Sequence, residues 1–257
     1  MLKYQKILLV AVLLLILTGI TDYFTSVSIW WYVGIILATI GLLTYGSISI
    51  RSGLYSDVIC FQGQQDKVIA LTFDDGPDEK VTPQVLDVLK KHNAEAVFFC
   101  VGSKVFNHPA IIERMDNEGH VIGGHTYSHH YYFDLFSAKK MQEEMIKTEK
   151  LVQRVVRKKI RMFRPVYGVT NPTLARALRK MNYHVIGWSL KSKDTVIRDD
   201  HKLFSRLITR LGAADTILFH DTCPHMVPVL DKFINFAKEH QYRFERLDKL
   251  LGIEAYE

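Results

Sequence analysis

The N-terminal part of the chain carries two long apolar runs without a charged side chain. The first is Ile7–Thr21, dominated by Leu, Ile and Val, and the second is Tyr23–Ile50. A helix that spans a bilayer needs about 20 apolar residues. We therefore expect two transmembrane helices, at about residues 5–24 and 29–50, which form a hairpin and define a membrane anchor, residues 1–52.

From residue 53 to residue 257 the pattern changes to short apolar runs that alternate with amphipathic segments. Such alternation is typical of a single α/β domain, and about seven βα units favour a closed, irregular parallel barrel over an open sheet. The predicted strands are Val68–Phe73, Ala96–Val101, Val121–Gly123, Arg161–Phe163, Tyr183–Trp188, Asp215–Phe219 and Tyr242–Glu245. The predicted helices are Pro83–Lys91, Pro109–Glu118, Ala138–Arg157, Pro172–Met181, His201–Leu211, Pro228–His240 and a short helix at the C-terminus.

Composition excludes some classes of function. The formal net charge of +6 is modest for 257 residues, and no basic-aromatic pattern typical of nucleic-acid recognition accompanies it. Cys60, Cys100 and Cys223 are odd in number and widely spaced. They predict neither a disulfide framework nor a zinc ribbon.

Two adjacent carboxylates, Asp74 and Asp75, directly follow the first predicted strand and precede the turn Gly76-Pro77. A buried strand that ends in paired acids is costly unless a metal or a proton transfer uses them. Neighbouring side chains of a strand point to opposite sides, but a turn after the strand can bring both carboxylates to one cavity in different roles. The alternative is a surface Asp-Asp-Gly turn, which is common.

His125 and His129 are four residues apart, a spacing that places two imidazoles on the same face of a helical turn. Two histidines and one carboxylate are a common ligand set for a catalytic divalent metal with open positions for water and substrate. Together with the Asp74-Asp75 turn, the pair predicts a metal site. All these residues follow predicted strands, and that end of a parallel barrel carries the chemistry.

Three further segments complete the pattern: Arg164–Gly168, Trp188–Asp194 and Thr216–Asp221. At these positions the chain resembles the polysaccharide deacetylases with a NodB-type domain, the family-four carbohydrate esterases. The motifs that carry the resemblance are, in order, Thr72-Phe73-Asp74-Asp75-Gly76-Pro77, His125-Thr126-Tyr127-Ser128-His129, Arg164-Pro165-Val166-Tyr167-Gly168, the Trp188–Asp194 segment and Leu218-Phe219-His220. The resemblance covers roughly Gln65 to Leu251 and implies a distorted (β/α)7 barrel.

Two motifs depart from the pattern of the family. Val166 stands where the family usually has a second proline. In the fourth motif, Lys191 stands where the family often has its first aspartate, and Thr195 replaces the final tryptophan. An acid that tunes the catalytic histidine is therefore either missing or replaced by Asp194, which concerns the rate and the pH optimum more than the type of reaction.

The resemblance implies metal-dependent hydrolysis of the N-acetyl group of an amino sugar, in a poly- or oligosaccharide or a lipid-linked glycan, with release of acetate. It implies Asp75, His125 and His129 as ligands of a divalent metal, with zinc as the expected ion. Asp74 would be the general base. The other implied site residues are His220 as the general acid, Arg164 as the cation that holds Asp74 ionised, Tyr167 as a backbone donor to the oxyanion, and Asp194 and Leu218 as supporting residues.

Other functions remain open at the level of sequence. A different metal-dependent amide or imide hydrolase on the same barrel would use the same residues, and a non-catalytic carbohydrate-binding relative would keep the fold. A phosphatase of the haloacid type is the weakest option, because that chemistry wants Asp-x-Asp, and Asp74 and Asp75 are adjacent.

Charge bears on the localisation, which we expect to be the cell membrane with membrane lipid as a partner. Lys3 and Lys6 precede the first apolar run, Arg51 follows the second, and the turn between them has no Lys or Arg. The positive-inside rule then favours a cytoplasmic catalytic domain, whereas many relatives of the family act outside the membrane. A cleaved signal peptide is the alternative for the first run, although a cleavage pattern is poor.

Two surface features have two interpretations each. Six basic residues between Lys150 and Arg161 form either a solvated helix face or a contact for anionic headgroups. The aromatic residues Tyr131, Tyr132 and Phe133, just after the histidine pair, either stack on a sugar or pack in the ordinary way.

Overall fold

The structure is a computed structural model that describes residues 3–60 and 67–257. The start of the family resemblance, at Gln65, lies outside the described residues. The helices are α1 (Lys3–Thr25), α2 (Ile29–Ile48), α3 (Val81–Lys91), α4 (Gly102–Asn107), α5 (Pro109–Asn117), α6 (Ala138–Val156), α7 (Pro172–Leu178), α8 (Asp200–Arg210), α9 (Met226–Glu239) and α10 (Leu247–Leu251). The strands are β1 (Val58–Ile59), β2 (Val68–Asp74), β3 (Ala96–Cys100), β4 (Val121–Gly124), β5 (Met162–Phe163), β6 (His184–Ile186), β7 (Leu190–Lys191), β8 (Thr216–His220) and β9 (Arg243–Phe244).

The strands pair in parallel and curl into a barrel, which confirms the predicted fold. Neighbouring strands follow the order β1-β6-β5-β4-β3-β2-β8-β7, and β9 pairs with the start of β2. Only Gly187, Trp188 and Ser189 separate β6 from β7. This single extended segment pairs with β5 through its first half and with β8 through its second half, so it completes the ring.

The alternation of side chains along β2 explains why an acid points into the barrel. Ile69, Leu71 and Phe73 pack outward into the cluster that includes the helices α3 and α9. Val68 and Ala70 belong to a second cluster formed by the inner faces of the strands and by α10. Because side chains of a strand alternate between its two faces, Thr72 and Asp74 share the inner face with Val68 and Ala70.

Most predicted elements are found within a few residues of their expected bounds, and three short elements were missed. Ser137 and Asn171 cap the starts of α6 and α7, where their side chains accept hydrogen bonds from the N–H groups of Lys140 and Leu174. The sequence did not predict α4, β1 or β7. Each is too short to show a periodicity of its own.

The two N-terminal helices, α1 and α2, are long and apolar enough to cross a membrane. They pack against each other, and Ser28 caps the start of α2. The chain after α2 packs on the barrel, because Leu54 and Tyr55 form a small cluster with Ala175 of α7. A side chain at Gly46 would clash with Leu54, because a Cβ atom added there would lie 2.0 Å from the Cδ2 atom of Leu54.

Candidate metal centre and active site

The residues singled out by sequence meet at the carboxyl ends of the strands. Asp74 is the last residue of β2, His125 follows β4, Arg164 follows β5 and His220 ends β8. They surround a cavity of about 210 Å³. Its lining consists of Asp74, Asp75, His125, His129, Tyr167, Gly168, Trp188, Lys191, Thr195, Leu218 and His220.

Asp75, His125 and His129 form a candidate metal centre in which one potential ligand atom of each residue lies within 4.8 Å of the others. The Nε2 atoms of His125 and His129 lie 3.4 and 3.0 Å from Oδ1 of Asp75. The Nδ1 atom of His125 is 2.8 Å from the carbonyl oxygen of Arg164. It can only donate there, so the lone pair of Nε2 is left for a metal. Two imidazoles and one carboxylate fit a divalent ion such as zinc.

The histidine pair lies in a loop after β4, and the expectation of a helical turn was wrong. Thr126 and His129 have positive φ angles of 62° and 48°, which are incompatible with a right-handed helix. Glu144 of α6 holds the loop, because its Oε2 atom accepts hydrogen bonds from the N–H groups of Tyr127 and Ser128 at 3.1 and 2.7 Å. A bend of the backbone thus brings the two imidazoles together.

Asp75 reaches the metal centre by a backbone conformation outside the strand. Its φ angle is +74°, which Asp tolerates better than most residues. The Nζ atom of Lys104 donates to its carbonyl oxygen at 2.7 Å. Burial alone would raise the pKa of Asp75, but hydrogen bonds from His125 and His129 outweigh it and hold that pKa well below its usual value. Asp75 is thus an anionic candidate ligand.

Asp74 forms a buried ion pair with Arg164. The Nη1 atom of Arg164 lies 2.7 Å from Oδ1 of Asp74 and 2.9 Å from the hydroxyl of Thr72. Its other nitrogens donate to the carbonyl oxygens of Ile186 and Gly187. Burial lowers the pKa of the fully buried Arg164, and the charge of Asp74 opposes this effect. The guanidinium of Arg164 thus pairs directly with the Asp74 carboxyl group inside the barrel.

Asp194 is the partner of His220, so the fourth motif keeps an acid at this place despite Lys191. Its Oδ1 atom lies 2.7 Å from Nδ1 of His220, and its Oδ2 atom accepts the backbone N–H of His220 at 2.7 Å. Burial lowers the pKa of His220, but the hydrogen bond and the charge of Asp194 outweigh it and raise that pKa above its ordinary value. His220 therefore holds a proton to higher pH than a free histidine.

Tyr167, Gly168 and Trp188 form one wall of the cavity. Tyr167 has a positive φ of 55°, and its half-exposed ring contacts the ring of His129 edge to face, with 5.2 Å between the centroids. Gly168 has a φ of +72°, and a Cβ atom there would lie 2.3 Å from the indole of Trp188. Leu218, which is buried in β8, also lines the cavity.

Sequence reasoning missed three polar residues that shape the site: Lys104, Glu144 and Asp221. Asp221 is buried beside Gly76, where its Oδ2 atom accepts the hydroxyl of Thr82 at 2.7 Å and its Oδ1 atom has no partner among the described residues. Burial raises its pKa to about 7. For Asp221 the sequence offered one indication, because it directly follows His220 at the end of the fifth motif. No pattern of spacing indicates Lys104 or Glu144.

Comparison with known proteins places the chain in a family. Residues 62–186 match the model of the family described as polysaccharide deacetylase. A peptidoglycan-N-acetylglucosamine deacetylase of Bacillus cereus is 31% identical over 191 residues, which cover 72% of this chain and 89% of that protein. The chain belongs to the polysaccharide deacetylase family. The resemblance noted in the sequence is thereby confirmed.

Two further relatives support the fold and the class of enzyme. The peptidoglycan-N-acetylmuramic acid deacetylase PdaA of Bacillus subtilis is 30% identical over 199 residues, covering 76% of this chain and 75% of that protein. The structure of the chitin deacetylase from the fungal pathogen Colletotrichum lindemuthianum superposes with a TM-score of 0.73 at 27% identity, covering 78% of this chain and 95% of that one. The chain is accordingly a hydrolase of amide C–N bonds. Deacetylases of this family depend on a metal in general, and Asp75, His125 and His129 are the candidate site.

Proposed function

We propose that the protein is a metal-dependent N-deacetylase that hydrolyses the N-acetyl group of an amino sugar in a poly- or oligosaccharide or in a lipid-linked glycan. The observation that carries the proposal is the meeting of three groups around one cavity. They are the candidate ligands Asp75, His125 and His129, the buried carboxylate of Asp74 on Arg164, and the His220–Asp194 pair. A metal site, a base and an acid are the groups that serve metal-assisted amide hydrolysis.

Asp75, His125 and His129 would hold zinc. When bound, the metal supplies a Lewis acid for the acetamide carbonyl and for the attacking water. The Nδ1 bond of His125 to Arg164 and the contacts of Glu144 to the histidine loop keep the ligands oriented before the metal binds.

Asp74 would accept the proton of the attacking water. It is only 4% exposed, so the base works in a site from which bulk water is largely excluded. Arg164 pairs with Asp74 without blocking both oxygens, because the guanidinium contacts Oδ1. The second oxygen, Oδ2, is the one available for the proton.

His220 would donate a proton to the departing nitrogen, because an amine leaves poorly unless it is protonated. Asp194 fixes the ring through Nδ1, so Nε2 is the nitrogen that carries the transferred proton. The backbone N–H of Tyr167 would stabilise the developing oxyanion. The products are acetate and a free amino sugar.

The relatives suggest the class of glycan. The named proteins are deacetylases of peptidoglycan N-acetylglucosamine, of peptidoglycan N-acetylmuramic acid and of chitin. We infer an N-acetylated glycan substrate of this kind. We also propose that residues 1–52 anchor the enzyme in a membrane and that residues 53–257 form the catalytic domain.

Acetate release by the zinc-loaded full chain tests this function. Chitin oligomers, N-acetylated wall fragments and lipid-linked N-acetyl sugars should include at least one substrate, and His125→Ala should abolish both metal binding and release. Bound zinc with no release on any of these glycans would favour another amide or imide hydrolase. A chain that binds no metal would favour a carbohydrate-binding protein.

A further inference from the structure

The end of helix α2 docks on the catalytic end of the barrel. Ser47 and Thr170 form a reciprocal pair, in which the N–H of Thr170 donates to the carbonyl of Ser47 at 3.1 Å and the Ser47 hydroxyl donates to the carbonyl of Thr170 at 2.7 Å. Arg51 donates to the carbonyl of Ser189 at 2.5 Å. Thr170 and Ser189 lie within two residues of Gly168 and Trp188, which line the cavity. The end of the hairpin, at Ser47 and Arg51, therefore contacts the segments that form the wall of the active site.

A second loop of the catalytic end lies beside this contact. We call the segment Tyr131–Leu135 the aromatic loop. The side-chain nitrogen of Asn171, next to Thr170, donates to the carbonyl of Asp134 at 2.8 Å. The rings of Tyr131 and Tyr167 lie 6.4 Å apart. A short chain of contacts thus links α2 to the aromatic loop.

The aromatic loop exposes large apolar side chains. Leu135 is 80% exposed, Tyr131 is 72% exposed and Tyr132 is 57% exposed, whereas Phe133 is buried and fixes the loop to the core. Within the described part of the catalytic domain, the other strongly exposed large apolar residues of the catalytic end are Phe106, Tyr167 and Val196. Ile146, on the outer face of α6, is also exposed but lies away from the catalytic end. Exposed apolar side chains gathered on one face indicate an interaction surface.

Exposed cations lie near the aromatic loop, and the acid of the loop itself, Asp134, is only partly exposed. Lys139 and Lys140 follow it at the start of α6 and are exposed, and Arg51 lies at the end of the hairpin. Tyr side chains beside Lys and Arg are the residues that accumulate where hydrocarbon meets headgroups.

We propose that the catalytic face is a bilayer-docking surface: the aromatic loop enters the interfacial layer of the membrane that the hairpin crosses, and the enzyme acts on amino sugars held at that surface. The inference rests on the proposed function and on the hairpin as an anchor. It selects membrane-tethered glycans among the substrates proposed above. Continuity with α2 identifies the occupant as the bilayer, because the anchor already fixes this face next to it.

Photo-crosslinking tests the contact directly. The full chain carries benzoylphenylalanine at position 135, or at position 146 as the matched control, in nanodiscs of phosphatidylcholine and phosphatidylglycerol. After irradiation, mass spectrometry should find phospholipid adducts at position 135 and none above background at position 146. Equal yields at the two positions would overturn the proposal.

Activity tests the consequence. We expect Leu135→Asp to reduce acetate release from a lipid-linked N-acetylglucosamine in the nanodisc about tenfold. The variant loses the free energy that the leucine side chain would gain when it enters the interfacial layer of the membrane. Release from a soluble chitin oligomer should not change, and Ile146→Asp should affect neither substrate. An equal loss on both substrates would contradict bilayer docking and would make the aromatic loop a glycan-binding surface. If the unsubstituted chain releases no acetate from any substrate, the proposed function fails, whereas the crosslinking result still decides the docking surface.

Discussion

The two adjacent acids Asp74 and Asp75 face different partners because the backbone changes between them. Asp74 still belongs to β2 and follows the alternation of that strand into the barrel, where it meets Arg164. Asp75 has a left-handed φ of +74°, and this turn directs it to His125 and His129. The sequence alone indicated a metal site or a proton transfer at Asp74 and Asp75. The assignment of one as base and the other as ligand came from the family resemblance. Geometry now supports that assignment.

At His220, the structure predicts a shift of the pH profile. Asp194→Asn removes the charge of Asp194, which with its hydrogen bond contributes most to raising the pKa of His220, so that pKa falls. The acid form is then lost at lower pH, and the alkaline limb of kcat against pH should move to lower pH. A lower kcat with the limb unmoved would show that Asp194 has only a structural role.

Among the secondary-structure elements, α6 holds the histidine loop of the candidate metal centre through Glu144. Glu144→Ala removes the acceptor of two backbone N–H groups in the histidine loop. We expect the Kd of zinc, measured by competition with a chelator, to rise about 10- to 100-fold, as is typical when a group that orients metal ligands is lost. Glu143→Ala is the matched control, because Glu143 is its neighbour on α6 and makes no contact with the histidine loop among the described residues. Equal affinities for zinc in the two variants would mean that Glu144 does not orient the metal ligands.

The loop of Tyr167 and Gly168 offers a second test. Gly168→Ala places a methyl group against Trp188 at a positive φ, and overpacking of this kind costs about 1–3 kcal/mol. Gly252→Ala has a similar φ of +62° with open space around it, so it reports the backbone strain alone. Denaturant unfolding should show a larger loss of the free energy of unfolding for Gly168→Ala. Equal losses would mean that the contact with Trp188 is unimportant.

An element could be predicted where residues close together in the sequence determine it, and could not where contacts between distant residues do. The strand at Val68–Asp74 shows a dense apolar run, and Ser137 and Asn171 mark helix starts by local hydrogen bonds. The spacing of His125 and His129 fits a helical turn equally well, and only positive φ angles and Glu144, which is distant in sequence, decide for a loop. Such tertiary contacts leave no pattern in a single sequence.

For the whole molecule, the two apolar runs and the α/β alternation predict a membrane hairpin followed by a barrel, and the barrel is confirmed. The way the two parts meet was not predictable. The pair Ser47–Thr170 joins residues that are 123 positions apart, and neither belongs to a motif that signals it. Their contact places the proposed anchor at the catalytic end of the barrel.

Asp74→Asn tests most directly whether Asp74 is the general base of a metal-dependent deacetylase. Zinc content and acetate release are measured in the same sample of the full chain, with and without the substitution. Asparagine keeps the shape of the side chain but cannot accept the proton, and loss of a general base costs about 10²- to 10⁴-fold in rate. Since Asp75, His125 and His129 are unchanged, we predict full zinc content with acetate release reduced by that factor. Acetate release at the unsubstituted rate would contradict the assignment of Asp74 as the base, and with it the proposed mechanism.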